Sequence, residues 1–95
     1  KGIGPAYEDK VSRRGIKVKD LLDKDTLVRR LGSGYAEKAI LFKHLYQIDF
    51  PTIEEEVERL YRLGQSMKDY VCDTFGLIDR SLSQGKKILY EGAQG

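Results

Sequence analysis

Apolar residues recur at helical spacing through the middle of the chain. Leu27, Val28, Leu31, Tyr35, Ala39, Phe42, Leu45 and Tyr46 form one stripe. Ile53, Val57, Leu60, Met67, Val71, Phe75, Ile78 and Leu82 form a second, at steps of three, four or seven. Steps of this size put side chains on one face of a helix, so both stretches are read as amphipathic helices. Asp23 or Asp25 can cap the first by accepting hydrogen bonds from free backbone N–H groups. Gly32-Ser33-Gly34 interrupts that stripe without shifting its phase, which predicts one kinked helix rather than two. Asp49-Phe50-Pro51-Thr52 reads as a turn. Thr52 and Glu55 then have capping-box spacing at the start of the second helix, and Glu54, Glu55 and Glu56 suit the positive end of its dipole. Gly64 lies on the second stripe, where it would let another helix come close. Gly85 is the expected stop, making this one long helix.

The flanks differ. Pro5 suits the first position of a helix, where its missing N–H has no partner to lose. With Gly15 as the stop, a first helix is predicted over Pro5–Arg14. Ile16–Leu22 reads as a connector with a helical turn. Near the other end, Lys87-Ile88-Leu89-Tyr90-Glu91 has the length and apolarity of a strand ended by Gly92. A lone strand cannot satisfy its backbone groups, so it calls for a sheet formed by other residues. The expected fold class is mainly α: a short helix and two longer ones, with one C-terminal strand that joins a mostly parallel α/β sheet of a longer parent. The organisation divides into 1–22, 23–85 and 86–95.

The chain has 95 residues, 40% of them hydrophobic and 34% charged, with a net charge of +2. That bounds it to one small domain with a limited core. The overall charge is too balanced to argue for nucleic acid, and no aromatic residues interleave with the basic cluster as a base-stacking surface requires. Charge is unevenly placed, however. Lys1, Lys10, Arg13, Arg14, Lys17 and Lys19 face only Glu8, Asp9 and Asp20 in the first segment. A basic excess beside glycines suits a small anionic ligand. Cys72 is the only cysteine, which excludes an intrachain disulfide and a cysteine zinc site, and fits a reducing compartment. It is read as a packing residue. No apolar run reaches membrane-spanning length. The missing initiator Met and the opening within a Gly-rich motif lead to the expectation of an internal fragment.

Two terminal strings carry candidate chemistry. In Gly2-Ile3-Gly4-Pro5, glycines let a ligand approach the main chain, and the following helix start offers free N–H donors to an anion. Lys10 and Arg13, three apart, can converge on one anion, and Arg13 offers a planar charged fork for phosphate. The plain alternative is a Gly-Pro turn before a solvated basic helix. The string lacks the Gly-Lys-Ser/Thr ending of a P-loop. At the far end, Gln94 follows the apolar strand. A carboxamide beyond a strand's carboxyl end can donate to and accept from a nucleobase edge, or it is an ordinary polar residue of a turn.

Together, Gly-Ile-Gly-Pro-x-Tyr-x-x-Lys-x-x-Arg at Gly2–Arg13 and Tyr90-Glu91-Gly92-Ala93-Gln94-Gly95 resemble two motifs of the adenylosuccinate synthetase family, in the same order and at a suitable separation. The motifs cover about a fifth of the chain. The resemblance implies ligation of IMP and L-aspartate at the expense of GTP, with Mg2+ required. In that family GTP phosphorylates the 6-oxygen of IMP, and aspartate then displaces the phosphate. By the match Lys10 falls on a catalytic lysine. Arg13 falls on the arginine that crosses a homodimer interface to the partner's IMP, and Gln94 on the glutamine near the reacting base edge. Lys17 stands where many members have arginine, and Ser12 where alanine is common. No residue here corresponds to the family's nucleotide-binding loop, catalytic aspartate, general-acid histidine or aspartate-binding loop. GTP and Mg2+ are therefore expected to bind outside these residues, the fragment alone is expected to be inactive, and no metal ligand is assigned. A cytoplasmic homodimer, bound to neither nucleic acid nor membrane, completes the expectation. The competing reading is a helical oligomerisation module without a ligand. His44, Arg29, Arg30 and Arg62 are read as surface residues, and the helical tyrosines Tyr35, Tyr46, Tyr61 and Tyr70 as packing or interface groups.

Overall fold

A computed structural model describes residues 2–92. Four α-helices run in the order α1 (Ile3–Val11), α2 (Lys24–Leu41), α3 (Ile53–Met67) and α4 (Thr74–Ser83). A 3-10 turn at Val18–Leu22 precedes α2, and another at Lys68–Tyr70 follows α3.

The centre is α2 packed on α3, with the Val18–Leu22 turn lodged against both. Asp23 caps α2 by accepting from the Thr26 N–H at 2.6 Å. The helix passes through Gly32-Ser33-Gly34 without a break, as the unbroken stripe predicts. It then loosens into a π-helical turn at Phe42–Tyr46 and stops at Gln47, whose φ is 53°. Thr52 and Glu55 form the expected capping box: the Thr52 N–H donates to Glu55 at 2.9 Å, and the Glu55 N–H to the Thr52 hydroxyl at 3.2 Å. Tyr35, Phe42 and Phe50 pack ring to ring, with both Phe50 contacts at 4.8 Å between centroids. The Tyr35 hydroxyl donates to the Pro51 carbonyl. This cluster fastens the 47–52 connection to α2.

Burial is concentrated in a few residues. Leu27 is fully buried and Val57 is 5% exposed. Full burial of such a side chain contributes about 1.5–3 kcal/mol each. Gly64 is buried because the turn lies directly upon it: a β-carbon there would sit 2.3 Å from the Leu21 carbonyl oxygen. The close approach expected at Gly64 is thus made by the turn, not by another helix. Val28, Leu45, Tyr46, Phe75, Ile78 and Leu82 remain exposed. The radius of gyration is 16.8 Å, against about 12 Å for a compact chain of this length.

Several expectations are corrected. The single helix expected from Ile53 to Gly85 is two, parted by the second 3-10 turn and the linker 71–73. Met67, Val71 and Phe75 keep helical phase, but Asp73 offers a competing cap, accepting from the Phe75 N–H at 3.2 Å and starting α4 anew. Cys72, expected to pack, is exposed in that linker, and Tyr70 is exposed beside it. The strand expected at Lys87–Glu91 is not formed among the described residues: 86–92 are irregular, and Leu89 is 94% exposed. An isolated segment has no ladder partner to fix it.

The first helix also differs in its limits. It begins two residues before Pro5, which a first turn tolerates because none of its N–H groups has an intrahelical partner. It ends at Val11, ahead of the expected stop at Gly15. Arg13 takes the left-handed conformation, φ 62°, that glycine usually supplies. The Arg14 N–H donates to the Asp9 carbonyl at 2.8 Å and the Arg13 N–H to the Lys10 carbonyl at 3.1 Å, which is the Schellman pattern. The end of α4 repeats it with glycine in place. There Gly85 has φ 69°, Lys86 donates to Ser81 at 3.0 Å and Gly85 to Leu82 at 2.9 Å.

Candidate anion-binding groove

The Schellman turn at the end of α1 sends the chain back toward α2. Asp9 pairs with Lys38 at 2.6 Å and Arg14 with Glu37 at 2.9 Å, holding the end of α1 beside the C-terminal part of α2. Between the two elements runs an open groove lined by Asp9, Lys10, Arg13, Ile16, Lys17 and Arg30, among others. Lys10 and Arg13 therefore meet on one surface, though not as helical neighbours. Arg13 lies beyond the helix and reaches the groove from the turn. Both are exposed, and the Lys10 ammonium stands 5.7 Å from the centroid of the Tyr7 ring.

Two further cations join them. Lys17 comes from the segment before the 3-10 turn and Arg30 from α2. Arg30 was not legible as a site residue: it lies 17 positions from Arg13, on a helix whose other arginine, Arg29, bonds only locally to Thr26 at 3.4 Å. What points to it is Asp20, which caps the 3-10 turn and is buried against α2. Asp20 is 6% exposed, and its Oδ2 lies 2.9 Å from the Lys17 nitrogen and 3.9 Å from Arg30 Nε.

The electrostatic sum on the groove is positive. Its one lining carboxylate, Asp9, is already paired with Lys38. Among the described residues Lys10, Arg13 and Lys17 make no ion pair. Three uncommitted cations on one concave surface favour a multiply charged anion. Arg13 can grip it with two parallel N–H groups, and the lysines act as point charges.

Several charged groups away from the groove are engaged structurally. Burial, and then the glutamates at the start of α3, push the Tyr35 hydroxyl above its ordinary value. Glu56 is held below its ordinary value by its hydrogen bond to Arg59, and Glu58 by its bonds to Lys24 and Arg62. His44 sits in the π turn and lines no part of the groove. No group of three His, Cys, Asp or Glu side chains among the described residues could hold a metal ion. No described helix is long and apolar enough to cross a membrane. Gln94 lies outside the described residues.

The family described as adenylosuccinate synthetase matches the chain over residues 1–95. The adenylosuccinate synthetase of Francisella philomiragia subsp. philomiragia is 62% identical over the whole chain, which covers 22% of that relative. Those of Francisella tularensis subsp. novicida and subsp. mediasiatica are each 57% identical over the same span. The chain thus spans about a fifth of the length of the curated relatives it matches.

Proposed function

Because the chain belongs to the adenylosuccinate synthetase family, we propose that it serves as a segment of an enzyme that joins IMP to L-aspartate at the expense of GTP. On this reading the groove receives the 5′-phosphate of IMP. The observation that carries it is the convergence of Lys10, Arg13 and Lys17 on one surface without ion-pair partners among the described residues. A bare helical interaction module would have no use for such a cluster.

The roles follow from the side chains. Arg13 binds phosphate oxygens bidentately, and its exposed position at a turn suits reach across a homodimer interface to the partner's IMP. Lys10 balances charge that builds during phosphoryl transfer, a reaction that depends mainly on positioning and electrostatics. Gln94 contacts the base edge through its carboxamide. GTP and Mg2+ bind to residues of the longer protein, and the described residues contain no cluster fit for the metal. The uncovered faces of α2 and α4 and the extended shape suit a segment that packs against other parts of such a protein. In that setting residues 86–95 would find the sheet that their apolarity calls for. We assign the enzyme to the cytoplasm.

The test is Arg13→Leu in the full-length protein carrying this chain. Loss of a charged hydrogen-bond donor to phosphate should raise KM for IMP about tenfold or more, with KM for GTP little changed. An IMP dependence equal to wild type overturns the assignment.

A further inference from the structure

Asp20 is the one charged side chain buried among the described residues. A buried carboxylate is costly unless hydrogen-bonded and paired, so its partners show what it is for. Its Oδ2 accepts from the Lys17 N–H at 2.9 Å, while the Asp20 N–H donates to the Lys17 carbonyl at 2.9 Å. Both main-chain groups of Lys17 are thereby committed to one residue, which fixes the point from which its side chain departs. The same Oδ2 faces Arg30 on α2, and the closest approach, 3.9 Å, is through Nε. The two terminal nitrogens of Arg30 make no hydrogen bond to the described residues. They form the fork with which arginine grips phosphate, and Arg30 lines the groove.

We propose that Asp20 is a positioning residue of the groove, holding Lys17 through its main chain and Arg30 through Nε so that both present their charge to the anion bound by Lys10 and Arg13. The proposal rests on the reading of the groove as the IMP phosphate site, and adds to that site Arg30 as a fourth cation and Asp20 as its support. A carboxylate that only stabilised the 3-10 turn would need Lys17 alone. This one lies between two groove residues from different elements.

The experiment uses Asp20→Asn, Arg30→Gln and the double variant in the full-length protein, beside Arg13→Leu. Asparagine keeps an acceptor for the Lys17 N–H and nearly the same volume, and removes the charge facing Arg30. Each single variant should raise KM for IMP about three- to tenfold, with KM for GTP within about twofold of wild type. The double variant should be little worse than either single one, because both act through one contact. Two results overturn the proposal: an unchanged KM for IMP in Arg30→Gln, or equal rises for IMP and GTP in Asp20→Asn. A lower melting temperature in Asp20→Asn with no selective effect on IMP would reduce Asp20 to a structural cap. Should Asp20→Asn fail to fold, the partly exposed Arg30→Gln decides alone. Arg13→Leu separates the two levels. If it raises KM for IMP while the others do not, positioning fails and the phosphate site stands; if none does, both fall.

Discussion

Replacing Arg13 by glycine should steady the end of α1 while weakening whatever the groove binds. Arg13 holds φ at 62°, as Gly85 holds 69° in the same motif at the end of α4. A residue with a β-carbon pays about 1–2 kcal/mol in that conformation. Glycine removes this cost, but its freer unfolded chain takes back about 0.4–1 kcal/mol. At the middle of these ranges the net gain is about 0.8 kcal/mol, roughly a fourfold smaller open population of the local hydrogen bonds. The amides to watch are Arg14 and Gly15, both of which donate to the Asp9 carbonyl at 2.8 Å. Native-state hydrogen exchange reads each directly. Protection of both amides should rise in Arg13→Gly, and an exposed lysine control such as Lys19→Gly should not reproduce it. Unchanged or reduced protection would show that the left-handed turn carries no strain. The same variant should bind IMP more weakly in the full-length protein. More stable yet less functional is the pattern expected where strain serves a site.

Gly64→Ala should cost about 1–3 kcal/mol, because its β-carbon would meet the Leu21 carbonyl at 2.3 Å and push the turn off α3; a wild-type melting temperature would refute the packing. Acid should unwind α2 and α3 from their starts. Asp23 is held below its ordinary value by the Thr26 hydroxyl and N–H, and Glu55 by the Thr52 N–H and hydroxyl. Carboxyls lowered by folding contribute stability above their unfolded values near pH 4, and that stability is lost as pH falls through the lower folded values. Helical circular dichroism should therefore hold steady from neutrality to about pH 5 and decline below about pH 4; loss beginning above about pH 6 would contradict it.

Local chemistry was the most legible part. Asp23, the Thr52–Glu55 box and Gly85 each do at a helix end what their residue types suggest, because capping is settled within a few residues. Where two local signals competed, periodicity misled. The phase shared by Met67, Val71 and Phe75 reads as one helix, while Asp73 starts another. Arg13 was legible as a cation but not as the left-handed residue, since glycine two positions later offered a simpler stop. The π turn at Phe42–Tyr46 left no mark that periodicity detects. Arg30 and Asp20 became meaningful only through packing, when the 3-10 turn brought a carboxylate from one segment against a guanidinium from α2. The strand was read from apolarity, yet a strand exists only with a neighbour to pair with.

The fastening of α1 has a mechanical consequence. Two ion pairs at the surface, Asp9–Lys38 and Arg14–Glu37, contribute at most about 1 kcal/mol each and weaken as salt rises. They make a light latch between two jaws, one bearing Lys10 and Arg13 and the other Arg30. A dianion touching both jaws would tighten the latch by its own charge, so the occupant itself would finish shaping its receptacle.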